Sequence, residues 1–219
     1  MSTHLIRELD GLRCLLLSLG ARVEAAIAKA VMAMVRRDPR LAEEVVAADE
    51  EIDRMEVAVE EECLKLLALY QPVAGDLRFI VAALKINNDL ERIGDLAVNI
   101  AKGAARLAAR ESVEVPTDLG TMADRTRSMV KRSLDALVNA DLALARKVCA
   151  DDDEVDAFRQ SLRTRMQADI ADAPERTESI MTLFMAVGHL ERIADIATNI
   201  AEDVIYTVEG KIIRHGGSV

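Results

Sequence analysis

Apolar residues recur every three or four positions along most of the chain, and this pattern divides it into six long segments. Such spacing places the apolar side chains on one face of an α-helix. In the first half, the pattern predicts helices over Leu5–Arg37, Pro39–Leu69 and Asp76–Arg110. Long helices joined by short turns lie antiparallel to their neighbours.

Residues typical of helix ends mark the boundaries. Asp38 before Pro39 is a typical N-cap followed by proline at the first helical position. The predicted turn after the second helix spans Gln71–Gly75, and the periodicity lapses over Glu111–Thr117.

The same plan then repeats. The pattern predicts helices over Asp118–Asn139, from the capping residue Asp141 to Ile170, and over Arg176–Glu209. The polar, glycine-bearing tail Gly210–Val219 is expected to fray.

An internal duplication underlies this repetition. The segment LERIGDLAVNIA at 90–101 returns as LERIADIATNIA at 190–201, with nine of twelve positions identical. Residues 38–53 match residues 141–156 with a shift of 103, so a turn in the second half is shorter by three. We expect two three-helix bundles of antiparallel helices, residues 1–112 and 113–219, related by pseudo-twofold symmetry. A single six-helix bundle is the alternative, disfavoured by the lapse between the halves.

Composition supports an all-α fold and narrows the function. Half of the residues are apolar but few are aromatic, and the net charge is −10. An acidic chain lacks the basic surface that nucleic acid requires, but it is compatible with cation binding. Three scattered cysteines and an N-terminus without a signal-peptide pattern predict a cytoplasmic protein.

The repeated segment carries acidic residues at helical spacing. Glu91 and Asp95 lie four apart, as do Glu191 and Asp195, and an asparagine follows four residues later in each copy. Residues four apart share one helix face, and this face lies well away from the predicted core face. The helix predicted over Asp76–Arg110 also carries apolar residues, such as Ile80, on a second side away from the core face. The other half or another subunit would have to cover this second apolar side.

A second acidic pair occurs in the middle helix of each half. Asp49 and Asp53 lie four apart, as do Asp152 and Asp156. Because the middle helix runs antiparallel to the last one, the two pairs should lie at similar depth. Clustered carboxylates repel one another unless cations are present, and oxygen ligands suit magnesium, manganese, ferric iron or calcium, with zinc as an alternative.

Other interpretations of these residues remain open. Acidic pairs on a helix face are commonly just solvated, Arg92 or Arg192 could pair with them, and the asparagines could hydrogen-bond between helices. A metal-dependent phosphoester hydrolase is a second hypothesis, although the chain has no Ser/His/Asp set, P-loop or dinucleotide loop. A metal-free interaction bundle is a third.

These segments, with QPVAGDLR at 71–78, resemble the PhoU family of bacterial phosphate-transport regulatory proteins over nearly the whole chain. The resemblance implies a non-catalytic cytoplasmic regulator that links a phosphate ABC transporter to a sensor histidine kinase and restrains the phosphate-starvation response. It would bind the transporter's ATPase subunit and the kinase, and would reach the membrane only through these partners. A homodimer is also expected.

The family's E(D)xxxD motifs bind multinuclear iron or zinc clusters in some members. Carried over by position, the resemblance implies one metal set in each half, formed by Asp49, Asp53, Glu91 and Asp95 and by Asp152, Asp156, Glu191 and Asp195. Ala194 replaces Gly94 in the second motif, which adds one methyl group and should remove no ligand.

Overall fold

The computed structural model of the chain describes residues 3–110 and 113–210, and these form six long α-helices and one short 3-10 helix. The helices are α1 (Thr3–Arg36), α2 (Pro39–Tyr70), α3 (Ala74–Ala108), α4 (Thr117–Asn139), α5 (Leu142–Asp172) and α6 (Thr177–Glu209), with the 3-10 helix at Pro174–Arg176. The all-α prediction is confirmed. Residues 111–112 and 211–219, which include part of the predicted lapse and most of the predicted tail, lie outside the described residues.

Two aspartates begin equivalent helices in the two halves. The Asp38 carboxylate accepts a hydrogen bond from the Arg40 amide at the start of α2, with N and O 2.9 Å apart. The Asp141 carboxylate accepts from the Leu144 amide at the start of α5, at 3.0 Å. Each cap satisfies an amide that has no partner within its helix. Both N-caps occur where the sequence predicts them.

The helices pack in two groups of three, and the groups also pack on each other. α1, α2 and α3 contact one another in the first half, as do α4, α5 and α6 in the second. The two halves meet where α3 packs on α6 and where α1 packs on α4. Their buried side chains form one continuous core. The other half therefore covers much of the second side of α3 and α6.

A glycine of α1 leaves room for a leucine side chain of α4. Gly20 lies against Leu134, and a Cβ atom at Gly20 would collide with the Leu134 Cδ1 atom. The Leu134 side chain thus occupies the space that a side chain at Gly20 would need. The equivalent positions, shifted by 103, are Ala123 and Val31, both buried.

Polar contacts join the halves where α3 begins and α6 ends. The Arg78 guanidinium donates from Nε to the Thr207 carbonyl at 3.0 Å. The Lys85 ammonium lies 3.7 Å from the carboxylate of Asp203, which is itself buried. These contacts link α3 to the last turns of α6 across the interface.

Part of the second apolar side remains exposed. Leu77 and Val81 of α3 are each 40% exposed, and Met181 and Met185 of α6 are 43% and 51% exposed. Packing between the halves therefore covers this side incompletely. Long as the helices are, none in the described part of the chain is apolar enough over its length to cross a bilayer.

Candidate metal centre

The core face of the repeated segment fixes the direction of its acidic face. Leu90, Ile93, Ala97 and Ile100 are fully buried on α3, as predicted. Because successive residues advance about 100° round the helix, Glu91 and Asp95 are directed away from this core. Glu91 is half-buried and Asp95 exposed. The same division holds for Glu191 and Asp195 on α6.

A close approach of α2 to α3 brings the first-half acidic pairs together. A Cβ atom on Gly94 would lie 3.3 Å from Ile52 Cγ2 and 3.5 Å from Asp49 Oδ1. Ile52 fills the space above Gly94, and the Asp49 carboxylate also lies beside Gly94. Asp49 is thus placed next to the segment of α3 that carries Glu91 and Asp95, and the predicted metal set stays a prediction.

Burial and mutual repulsion both act on this first-half cluster. Partial burial raises the pKa of Glu91, and the charges of Asp95, Asp53, Glu56 and Asp49 raise it further. The pKa of Asp49 is also raised, first by burial and then by Asp53 and Asp95, with Lys102 opposing. Glu91 thus lies within electrostatic reach of the other three predicted first-half residues, and Asp49 lies within reach of Asp53 and Asp95.

Two residues outside the predicted set extend this cluster. The buried Asn87 amide donates to the Glu56 carbonyl at 2.9 Å and to Glu56 Oε1 at 3.1 Å. These bonds hold Glu56 beside α3, where its charge reaches Glu91. In the described part of the chain, the buried Asn87 Oδ1 atom accepts no hydrogen bond. It is an oxygen donor with unused capacity at the edge of an acidic cluster.

The second-half cluster forms at the equivalent place. Partial burial, followed by the charges of Asp195 and Asp156, raises the pKa of Asp152 from its ordinary 3.8 to about 6. The Thr198 hydroxyl moderates this rise, although its buried oxygen makes no close hydrogen bond among the described residues. All four predicted second-half residues take part in these interactions.

An ion pair between a cation and a predicted ligand distinguishes the second-half cluster. The Arg159 guanidinium lies on α5, with Nη1 2.7 Å from Glu191 Oε1. Burial raises the pKa of Glu191, and Arg159 is the strongest opposing influence. Arg159 and Arg192 likewise oppose the rise in the pKa of Asp195 that burial and Asp156 cause. The residue equivalent to Arg159 in the first half, shifted by 103, is Glu56.

The chemistry of the donors fits a hard cation in the first half. Five carboxylates and the unused Asn87 oxygen supply the oxygen ligands that such ions prefer. As the side chains lie, no three acidic, histidine or cysteine residues of the described segments are arranged to hold an ion together. In the second half, four carboxylates share their space with the Arg159 guanidinium, so the fit there is poorer.

The residues outside the predicted set differ in how clearly the sequence indicates them. Asn87 lies four residues before Glu91 and continues its helical spacing, and Glu56 lies three residues after Asp53. Arg159 and Thr198 appear when the halves are aligned, because they stand where the first half has Glu56 and Val98. The ion pair of Arg159 with Glu191 depends on the distance between α5 and α6, which no local pattern contains.

Together, fold and site define a duplicated all-α protein with one acidic cluster between the second and third helices of each half. The family model "PhoU domain" matches this chain twice, over residues 16–104 and 119–204. The chain belongs to the PhoU family. The predicted internal duplication is thereby confirmed, whereas the exact division at residues 112 and 113 stays a prediction.

Similar proteins match along nearly the whole chain. The "phosphate-specific transport system accessory protein PhoU homolog" of Aquifex aeolicus is 38% identical, covering 96% of each chain. The accessory protein PhoU of Escherichia coli is 30% identical, over 96% of this chain and 87% of its own.

Two solved structures are similar to this chain over nearly its whole length. The crystal structure of PhoU from Pseudomonas aeruginosa has a TM-score of 0.88 at 36% identity, covering 94% of this chain and 99% of its own. The phosphate transport system regulatory protein PhoU from Streptococcus pneumoniae has a TM-score of 0.89 at 29% identity, covering 96% of this chain and all of its own.

Proposed function

We propose that this chain is a non-catalytic accessory protein of a phosphate ABC transporter. The main support for this proposal is the full-length match, in both halves, to relatives named as accessory or regulatory proteins of phosphate transport. Its fold is built of long helices whose exposed faces suit protein contacts. The apolar Leu77 and Val81 of α3 and Met181 and Met185 of α6 provide one such face.

The finer role follows from the family resemblance. The chain couples the transporter's ATPase subunit in the cytoplasm to a sensor histidine kinase, and thereby restrains phosphate uptake and the phosphate-starvation response. It reaches the membrane through these partners. A homodimer would bury the apolar residues that packing between the halves leaves exposed.

Partner capture tests this role. The tagged chain, expressed in a host that has both the transporter and the kinase, should retain the ATPase subunit and the kinase when cells grow in high phosphate. Cells starved of phosphate provide the control. Failure to recover either partner at high phosphate would contradict the proposal.

Metal binding is a second part of the proposed function. The first-half residues Asp49, Asp53, Glu91 and Asp95, with Glu56 and Asn87 beside them, would hold a hard cation such as iron, manganese, magnesium or calcium, or else zinc. The support is the repulsion that raises the pKa of Glu91 and Asp49, together with the unused Asn87 oxygen. Bound cations would offset the repulsion among these carboxylates, which Lys102 opposes only at Asp49.

Elemental analysis of protein purified without chelator tests this part. Native protein should contain metal, and a double variant Glu91→Gln/Asp95→Asn should lose first-half metal while keeping its helical content. Metal-free native protein that also fails to bind added Mn²⁺ or Zn²⁺ would contradict metal binding and leave partner capture unaffected.

A further inference from the structure

The two acidic clusters have opposite charges at one equivalent position. In the first half, Glu56 stands one turn beyond Asp53 and adds a fifth carboxylate to the cluster. In the second half, Arg159 stands one turn beyond Asp156 and adds a guanidinium. The exchange changes the local charge by two, although the four predicted carboxylates are the same in type and position apart from helix register.

Each of these two side chains is held in place by a partner on the facing helix. Asn87 binds Glu56 through its side-chain amide at 3.1 Å. Its equivalent in the second half is Val187, which offers no hydrogen bond. There, the partner of Arg159 is the half-buried Glu191 carboxylate at 2.7 Å. The first half thus presents an added oxygen donor, whereas the second half ties one of its predicted metal ligands to a cation.

We infer that Arg159 serves as the built-in counter-cation of the second-half cluster, so that metal binding is confined to the first half. This inference rests on the metal part of the proposed function. A metal entering the second half would have to displace Arg159 from Glu191 and then remain close to its positive charge. Affinity at carboxylate sites rises with the number of negative ligands, so the second half should bind a divalent ion at least about tenfold more weakly than the first.

Variants that remove metal ligands from the first half, called silenced variants, allow metal binding by the second half to be measured alone. In Glu91→Gln/Asp95→Asn protein, the first-half cluster loses two of its five carboxylates, whereas the second-half cluster keeps all four. Adding Arg159→Glu to this background restores the charge of the first-half pattern, and adding Arg159→Gln removes the cation alone. Lys147→Glu is the matched control, because it makes the same charge change at an exposed position of α5 and also installs the first-half residue, Glu44.

Titration of these chelator-treated proteins with Mn²⁺, followed by paramagnetic resonance of free ion and by thermal unfolding, tests the inference. We expect the silenced protein to lose Mn²⁺ binding, Arg159→Glu to recover it with at least about a tenfold gain in affinity, and Arg159→Gln to recover part of it. Lys147→Glu should change affinity less than about twofold. Circular dichroism confirms that each variant is folded.

Other outcomes separate this inference from the proposed function. If the silenced protein binds Mn²⁺ as tightly as the native chain, the second half accepts metal despite Arg159 and the inference is wrong, while metal binding stands. If the native chain binds none but the Arg159→Glu variant does, the inference is supported and native metal binding is wrong. If no variant binds Mn²⁺, both are wrong.

Discussion

The two halves of this chain have the same side-chain volume at two equivalent pairs of core positions but differ in charge at their acidic clusters. Where α2 meets α3, Ile52 lies on Gly94, and the equivalent pair in the second half is Val155 and Ala194. Each pair contains four side-chain carbons, with one carbon moved from one helix to the other. The acidic clusters beside these pairs differ by a carboxylate against a guanidinium.

The same conservation of volume holds where α1 meets α4. Gly20 packs on Leu134, and the equivalent positions are Ala123 and Val31. The side-chain carbons again total four in each pair. A close-packed core accommodates a methyl group exchanged between facing helices, whereas a gap or an extra atom costs stability. A half-exposed cluster has no such constraint, so its charges are free to diverge.

Gly20→Ala should have the largest effect on stability. The added methyl group collides with Leu134, and overpacking of this kind costs about 1–3 kcal/mol. Gly11→Ala is the matched control on the same helix, because its Cβ meets no atom within 4 Å. Urea unfolding should show a loss for Gly20→Ala and a gain of about 0.5–1 kcal/mol for Gly11→Ala. Equal gains for both would show that Leu134 does not occupy the space at Gly20.

Asp152→Asn should stabilise the folded chain at neutral pH. The folded-state pKa of Asp152 is raised from 3.8 to about 6, so the folded state binds this proton more tightly than the unfolded state. The ionised carboxylate therefore destabilises the fold above pH 6, and this cost fades as the pH falls toward 4. Allowing for partial exposure, the variant should gain about 1–2 kcal/mol at pH 7.

Unfolding measured at pH 7 and pH 4 in chelator tests that expectation. The gain should be absent at pH 4, where the native carboxyl is protonated in the folded state. Asp49→Asn is the first-half counterpart and should change stability in the same direction, because burial and its acidic neighbours also raise the pKa of Asp49. A gain of equal size at both pH values would mean that packing, and not charge, causes it.

A double-mutant cycle at Ile52 and Gly94 should show that the volumes are coupled. Ile52→Val alone removes one buried carbon and should cost about 0.5–1.5 kcal/mol. Gly94→Ala alone adds a methyl group 3.3 Å from Ile52, so the helix-forming gain is opposed by crowding. The double variant reproduces the second-half pair and should recover about 0.5–1 kcal/mol relative to additivity. Additive effects on the free energy of unfolding would show that the two positions are not coupled.

Arg159→Ala should have the smallest effect on stability. The ion pair with Glu191 joins a half-exposed guanidinium to a half-buried carboxylate, and pairs of this kind contribute about 0.2–1 kcal/mol. Thermal unfolding in chelator should show a loss of that size, reduced by high salt. Glu56→Ala is its first-half equivalent, and a loss there with the same salt dependence would contradict the difference between the clusters.

Much of the fold and four of the six residues of each candidate site could be predicted from local patterns. The spacing of apolar residues predicts all six helices within a few residues of their observed ends, and the Asp38 and Asp141 caps are where the sequence places them. The burial of Leu90 and Ile93 follows from the same periodicity. The acidic pairs four residues apart are recognisable because helical geometry alone sets their common face.

The contacts between side chains within each site depend on distances between helices. Asn87 binds Glu56, and Arg159 binds Glu191, across the gap between the second and third helices of each half. The residue types at these positions do not reveal which side chain contacts which partner. That choice is set by how closely the helices approach.

For this chain, the sequence by itself determined the helices, their buried faces and the acidic pairs of each half, because these follow from the period of one helix. It also determined the duplication, because the repeated segment is visible in the order of residues. Only the tertiary structure decided that each half covers part of the other's second apolar side, that Asp49 lies beside Gly94, and that a guanidinium pairs with a carboxylate of one cluster but not of its twin. Contacts between helices depend on the volume and charge of side chains far apart in the chain, and helical periodicity carries no information about them.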